Sequence, residues 1–194
     1  MRGEDLMPKK ENVGVDLGLS DDDRAELHKI ARAVIEQRSR GQSLPQFSPS
    51  SERLKEGSGA FVCVHKKGML RGCIGSLEAD TPLYKTVKEM AEAAAFSDPR
   101  FRPVTEDELP YLDIELSVLT PLKRIEKPEE IEVGRHGILI RRGYYSGLLL
   151  PQVAAERDWD RVTFLRETCR KAGLPMDAWK ETDAEIYIFS ADVF

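Results

Sequence analysis

Ala60-Phe61-Val62-Cys63-Val64-His65-Lys66-Lys67-Gly68-Met69-Leu70-Arg71-Gly72-Cys73-Ile74-Gly75-Ser76 is the stretch on which the fold turns. Two strand-like runs, 60–66 and 69–76, flank Lys67-Gly68, a two-residue turn of the hairpin kind. With that turn, Val64 is expected to face Arg71 and Val62 to face Cys73, leaving Cys63 and His65 on the other face. Alternation along the second run puts Arg71 and Cys73 on one side, where a fixed cation favours the thiolate. Gly72 and Gly75 let a ligand or another backbone approach closely. The competing reading makes Cys73 a small buried hydrophobe, as free cysteines commonly are.

The pattern extends outward from this hairpin. Thr81-Pro82 opens a helix with Pro82 at its first position and Leu83, Val87, Met90, Ala91 and Ala94 as its apolar stripe. Asp98-Pro99-Arg100-Phe101-Arg102-Pro103 ends it, either as a packed helix stop or as a rim loop gripping a polar ligand. Thr105 and Glu108 have capping-box spacing. Asp113 to Thr120 alternates, with Ile114, Leu116 and Val118 inward and Glu115 and Ser117 on the opposite face. Upstream, Ser20 caps a helix carrying Leu27, Ile30, Ala31, Val34 and Ile35 and ending near Ser39. A surface connection spans 41–59.

The second half echoes the first. Gly137 to Arg141 and Tyr144 to Leu150 flank Arg142-Gly143, Pro151 starts a helix, another runs from Arg161 to Ala172, and Ala184 to Ser190 returns as a strand. The expected fold is α+β, with mainly antiparallel sheets, flanking helices and two pseudo-repeated β-rich halves, roughly 60–120 and 137–190. Residues 1–18 read as a flexible tail and 19–194 as one domain.

Composition narrows the classes. Lys plus Arg number 29 against 34 Asp plus Glu, a net charge of -5, which argues against a nucleic-acid surface. No apolar run approaches the ~20 residues of a membrane helix, and the first residues lack the apolar core of a secretory leader. Three cysteines with no CxxC spacing point to reduced thiols in the cytoplasm. Nucleophile-elbow, P-loop, dinucleotide-turn, HExxH and radical-enzyme cysteine patterns are all missing from the sequence. No metal is expected, and a set built from Cys73, His65 and His136 has no specific support.

Leu70-Arg71-Gly72-Cys73-Ile74-Gly75 closely resembles the signature of the AMMECR domain family, also called AmmeMemoRadiSam system protein A. Five further segments agree in order: 98–101, 115–121, 136–138, 149–153 and 169–174. The resemblance covers about 20–194 and implies an α+β fold with repeated β-rich units. It also implies action alongside a Memo-type protein and a radical S-adenosylmethionine enzyme, with no cofactor identified. The reading that follows is a small-molecule-binding component, catalysis left open; the alternative is a non-catalytic adaptor that docks these partners.

Within the matched segments, Cys73, Glu115 and His136 are the candidate catalytic residues, as nucleophile, base and proton shuttle. Arg71, Gly72, Ser117 and Gln152 are the candidate ligand contacts, Arg71 through its fork of donors. A buried Arg71–Glu115 pair is the structural alternative. Cys63 and Cys169 read as core thiols, making Cys73 the expected most reactive of the three. Arg71, Cys73 and Gln152 are expected around one cleft between the halves.

Overall fold

The computed structural model describes residues 14–194. Most of the expected tail lies outside them, but residues 14–18 are held in place. Gly14 and Val15 donate backbone N–H groups to the carbonyls of Gly134 and Ala191, and Leu17 N–H donates to the buried Asp192 carboxylate at 3.2 Å.

Helix α1, Asp21–Ser39, begins where a side chain can satisfy its free N–H groups. Ser20 Oγ accepts from Asp23 N–H, and the Asp23 carboxylate accepts from Ser20 N–H. Strands β1, Ala60–Lys66, and β2, Met69–Ser76, form the first hairpin. Helix α2, Leu83–Phe96, follows, with Pro82 at its N-cap, and β3, Leu112–Leu119, returns beside β1. After the short β4, Lys123–Ile125, the second hairpin consists of β5, His136–Arg142, and β6, Tyr145–Leu149. Helices α3, Pro151–Glu156, and α4, Arg161–Lys171, precede the long β7, Glu185–Val193.

The main sheet order is β2-β1-β3-β7-β5-β6, with β4 also paired to β7 and every pairing antiparallel. Read from either edge, the order is hairpin outer strand, hairpin inner strand, returning strand, and the two returning strands meet at the centre. That is the arrangement the repeated sequence pattern calls for. β7 runs three residues beyond the expected end at Ser190. Its final residues pair with β3, and Phe194 exchanges two backbone hydrogen bonds with Leu116.

Each half has its own core. Alternation drives Val62, Val64, Leu116 and Val118 against α1 and α2 in the first half. In the second, Ile138, Ile140 and Ile186 pack with Phe164, Leu165 and Cys169 of α4. A third cluster containing Leu119, Leu150, Phe189 and Ala191 joins them, with Phe61 packed against it. Two glycines shape that junction: a Cβ at Gly75 would strike the Phe61 ring at 2.2 Å, and one at Gly137 would strike the Phe189 ring at 2.2 Å.

The expected hairpin register is corrected by a β-bulge. Lys66 pairs with Met69 and His65 with Leu70, as a two-residue turn requires. Between Val64 and His65 the register then shifts, leaving Arg71 as the extra residue. Val64 therefore faces Gly72, Val62 faces Ile74, and Cys63 faces Cys73. Cys63 and Cys73 form a disulfide, with Cα atoms 4.0 Å apart. The expectation of three reduced thiols is corrected by the same shift, which places the two sulfurs opposite one another. Cys169 is the free cysteine, buried as expected.

Candidate functional site

The face of β1, β2 and β3 turned away from α2 carries the candidate site. A Cβ on Gly72 would meet the Ala94 carbonyl oxygen at 2.0 Å, so Gly72 faces α2 and its neighbour Cys73 faces the other way. Register then arranges the far face in rows: Cys73, Cys63 and Glu115 lie side by side, and Gly75, Phe61 and Ser117 form the next row. Toward the open end, His65 stands opposite Asp113.

Gln152 reaches this face from the second half. Pro151 occupies the first turn of α3, where its missing N–H costs nothing. Gln152 follows in that turn, and its Nε2 donates to Glu115 Oε1 and to Ser117 Oγ, each at 3.2 Å. The residue is 7% exposed, and its Oε1 is buried with no donor among the described residues. A buried acceptor left in that state costs about 1–3 kcal/mol, which a donating ligand group would offset.

The edge of β2 beside Cys73 is also occupied. Cys73 N–H donates to Asp98 Oδ2 at 2.9 Å, and its carbonyl accepts from Arg100 Nη2 at 3.1 Å. Asp98 and Arg100 thus supply the donor and acceptor that a neighbouring strand would supply. Arg100 holds the Asp98 carboxyl far below the usual carboxylate range, despite the desolvation of this buried residue, and the Cys73 N–H adds to the effect. The segment is both a helix stop and a clamp on Cys73.

Arg71 is engaged elsewhere. Its Nε and Nη2 donate to Glu108 Oε1 and Oε2 at 3.0 and 2.9 Å. Nη1 donates to the Arg102 carbonyl at 2.7 Å and Nη2 to that of Pro103 at 3.2 Å. Lys66 Nζ also donates to Glu108, at 2.8 Å, and the Arg71 hydrogen bonds lead in drawing the Glu108 pKa down to about 2. The partner is therefore Glu108 and not Glu115. The extra bulge residue breaks the i, i+2 alternation that tied Arg71 to Cys73.

His136 begins β5 opposite Ser190, where its Nδ1 accepts from Glu132 N–H at 3.1 Å. Burial leads in lowering its pKa, which suits the neutral, accepting imidazole. The structure thus joins Glu115, Ser117 and Gln152, with Cys73 in the row of Glu115, across Cys63 from it. No hydrogen bond or ion pair joins Arg71, Gly72 or His136 to that group among the described residues. Nor, among them, does any set of three or more His, Cys, Asp or Glu side chains converge to hold a metal. Two features escaped the sequence reading: the Asp98–Arg100 clamp, because turn chemistry explained those residues well enough, and the Arg71–Glu108 pair. The capping-box spacing marked Glu108, and its carboxylate does accept from Thr105 N–H at 3.1 Å, but spacing carries no sign of the second partner.

The AMMECR1 family profile matches residues 28–194. The chain belongs to the AMMECR1 family. Among its AMMECR1 relatives, protein MK0488 of Methanopyrus kandleri is 46% identical over 178 residues, covering 87% of this chain and 86% of that protein. A protein of Methanothermobacter thermautotrophicus is 45% identical over 185 residues, covering 91% and 95%. The crystal structure of the uncharacterized protein PH0010 from Pyrococcus horikoshii superposes with a TM-score of 0.82 at 40% identity, covering 86% of this chain and 88% of that one. None of these names states an activity. No helix among the described residues is long and apolar enough to cross a membrane.

Proposed function

We propose that this AMMECR1 protein binds a small polar metabolite in the cleft where Gln152 of the second half meets Glu115 and Ser117 of the first, and that it acts with a Memo-type protein and a radical S-adenosylmethionine enzyme. The observation that carries the binding reading is Gln152 itself: a buried amide bridging the two halves, its nitrogen committed and its oxygen without a donor among the described residues. Glu115 beside it is a proton acceptor for a ligand hydroxyl or amine. Cys73 gains nucleophilic character only after the Cys63–Cys73 bond is reduced. The partners rest on the family resemblance alone.

Native mass spectrometry of the protein purified from cells of its own source, beside Gln152→Leu, tests the binding reading. A small-molecule adduct on the wild type that Gln152→Leu loses while keeping its fold supports it. An absent adduct, together with no thermal shift in a metabolite extract, refutes it. Co-purification of the two partner proteins tests the grouping. The adaptor reading is favoured by a different observation: Met69 and Leu70 at the tip of the first hairpin and nearby Tyr111 are exposed apolar side chains.

A further inference from the structure

A concavity lies between α3 and α4. It encloses about 290 Å³, with Val153 and Trp159 in its apolar wall and Arg157, Glu167, Arg170 and Lys171 as its charged groups. Three cations therefore face one carboxylate. Glu167 is committed to Arg170 at 2.5 Å, one helical turn along α4. Arg157 lies over the Trp159 ring, 5.2 Å from its centroid, which leaves the in-plane N–H groups of the guanidinium available to an acceptor. Lys171 makes no ion pair among the described residues.

Cations at the end of a helix have an ordinary explanation, since they complement the negative pole of the dipole by about 0.3–1 kcal/mol. Arg170 and Lys171 at the end of α4 fit it. That explanation does not extend to the surroundings of Lys171. Lys171 is an exposed residue, yet desolvation, with Arg100 adding repulsion, pushes its pKa below the ordinary lysine value. Arg100 is the residue that clamps Cys73 from the first half. The first half thus adds to the positive potential at Lys171, in a chain whose net charge is -5. A bound anion would remove that mutual repulsion.

We propose that this concavity binds the phosphate group of a small phosphorylated metabolite, with Lys171 and Arg157 as donors and Val153 and the Trp159 edge as the apolar wall beside the remainder of the ligand. Two cations left over after the Glu167–Arg170 pair match the charge of about -1.5 to -2 on a phosphate monoester, and a single carboxylate would leave one unmatched. The proposal deepens the cleft reading, because Val153 directly follows Gln152 on α3, but it stands on different residues.

Isothermal titration of the full chain with pyrophosphate, at constant ionic strength, is the test. The wild type should show saturable binding at one site, and Lys171→Gln and Arg157→Gln should each weaken it by about tenfold or more. Both variants should keep the wild-type circular dichroism, since neither side chain is in a core. Gln152→Leu should bind pyrophosphate like the wild type. No saturable binding to the wild type, or unchanged binding in both folded cation variants, overturns the proposal. If Gln152→Leu loses the co-purifying metabolite while Lys171→Gln and Arg157→Gln still bind pyrophosphate normally, the cleft stands and the phosphate site falls. The converse result removes the cleft and keeps the phosphate site.

Discussion

Replacing Arg71 with alanine should unfold the protein more readily. The Arg71 and Glu108 side chains are 14% and 9% exposed and form a two-pronged pair. Truncation leaves the Glu108 carboxylate with Lys66 and the Thr105 N–H, and leaves the Arg102 and Pro103 carbonyls without the guanidinium. Breaking a buried pair by removing one partner costs about 3–5 kcal/mol; the retained Lys66 contact places this case near the lower end, about 3 kcal/mol. For a domain of this size about 1 kcal/mol moves Tm by roughly 2–4 °C, so the expected loss is roughly 6–12 °C. Arg71→Lys should recover only part of it, because an ammonium cannot make the paired contact. Thermal and urea unfolding of Arg71→Ala, Glu108→Gln and the double variant provide the assay. The double variant should lose less than the sum of the singles. The pair also carries a pH signature. Because folding lowers the Glu108 pKa from 4.5 to about 2, its contribution is full above pH 4.5 and disappears as pH falls toward 2. Glu108→Gln should flatten that acid limb. An Arg71→Ala protein with unchanged Tm that had lost its ligand would refute this reasoning and return Arg71 to the binding site.

Other outcomes follow from the same geometry. Without reductant, alkylation of the native protein should label no cysteine and alkylation after denaturation only Cys169; labelling of Cys63 or Cys73 in the unreduced protein, read by peptide mass spectrometry, would contradict the disulfide. Gly72→Ala should lower Tm measurably, since its Cβ meets backbone of α2 at 2.0 Å; a neutral result in differential scanning calorimetry would show that α2 shifts freely. The His136 pKa is depressed in the folded state, so protonation favours unfolding and stability should fall as pH drops below about 6.5. His136→Gln should reduce that slope in urea melts between pH 7 and pH 5, and an unchanged slope would refute the assignment.

The sequence reveals most where a local pattern has one physical solution. The second hairpin turns one residue later than expected, at Gly143-Tyr144, because Arg142 pairs with Tyr145. The Ser20 cap, the alternation of 113–120, the proline-started helix at 151 and the Gly-containing turn at 67–68 all place elements correctly, because each rests on neighbouring residues. The pairing of Cys63 with Cys73 does not. One extra residue at Arg71 moves every later partner by one position, and the bulge follows from how β2 lies against α2 and the 102–108 segment, not from its own composition. The site divides in the same way. Alternation placed Glu115 and Ser117 together, and the repeated pattern brought Gln152 toward them. Proximity in sequence ties Arg71 to Cys73, whereas Glu108, 37 residues away, claims it in space.

Because β7 gives its first residues to the second half and its last to β3, the first half stays short of a sheet neighbour until positions 191–194 have left the ribosome. During synthesis, then, the outer edge of β3 waits uncovered while some seventy further residues are added, at roughly 5–20 residues per second. For those seconds the nascent chain presents an open strand to any other chain nearby, and residues 191–194 act as the seam that withdraws it.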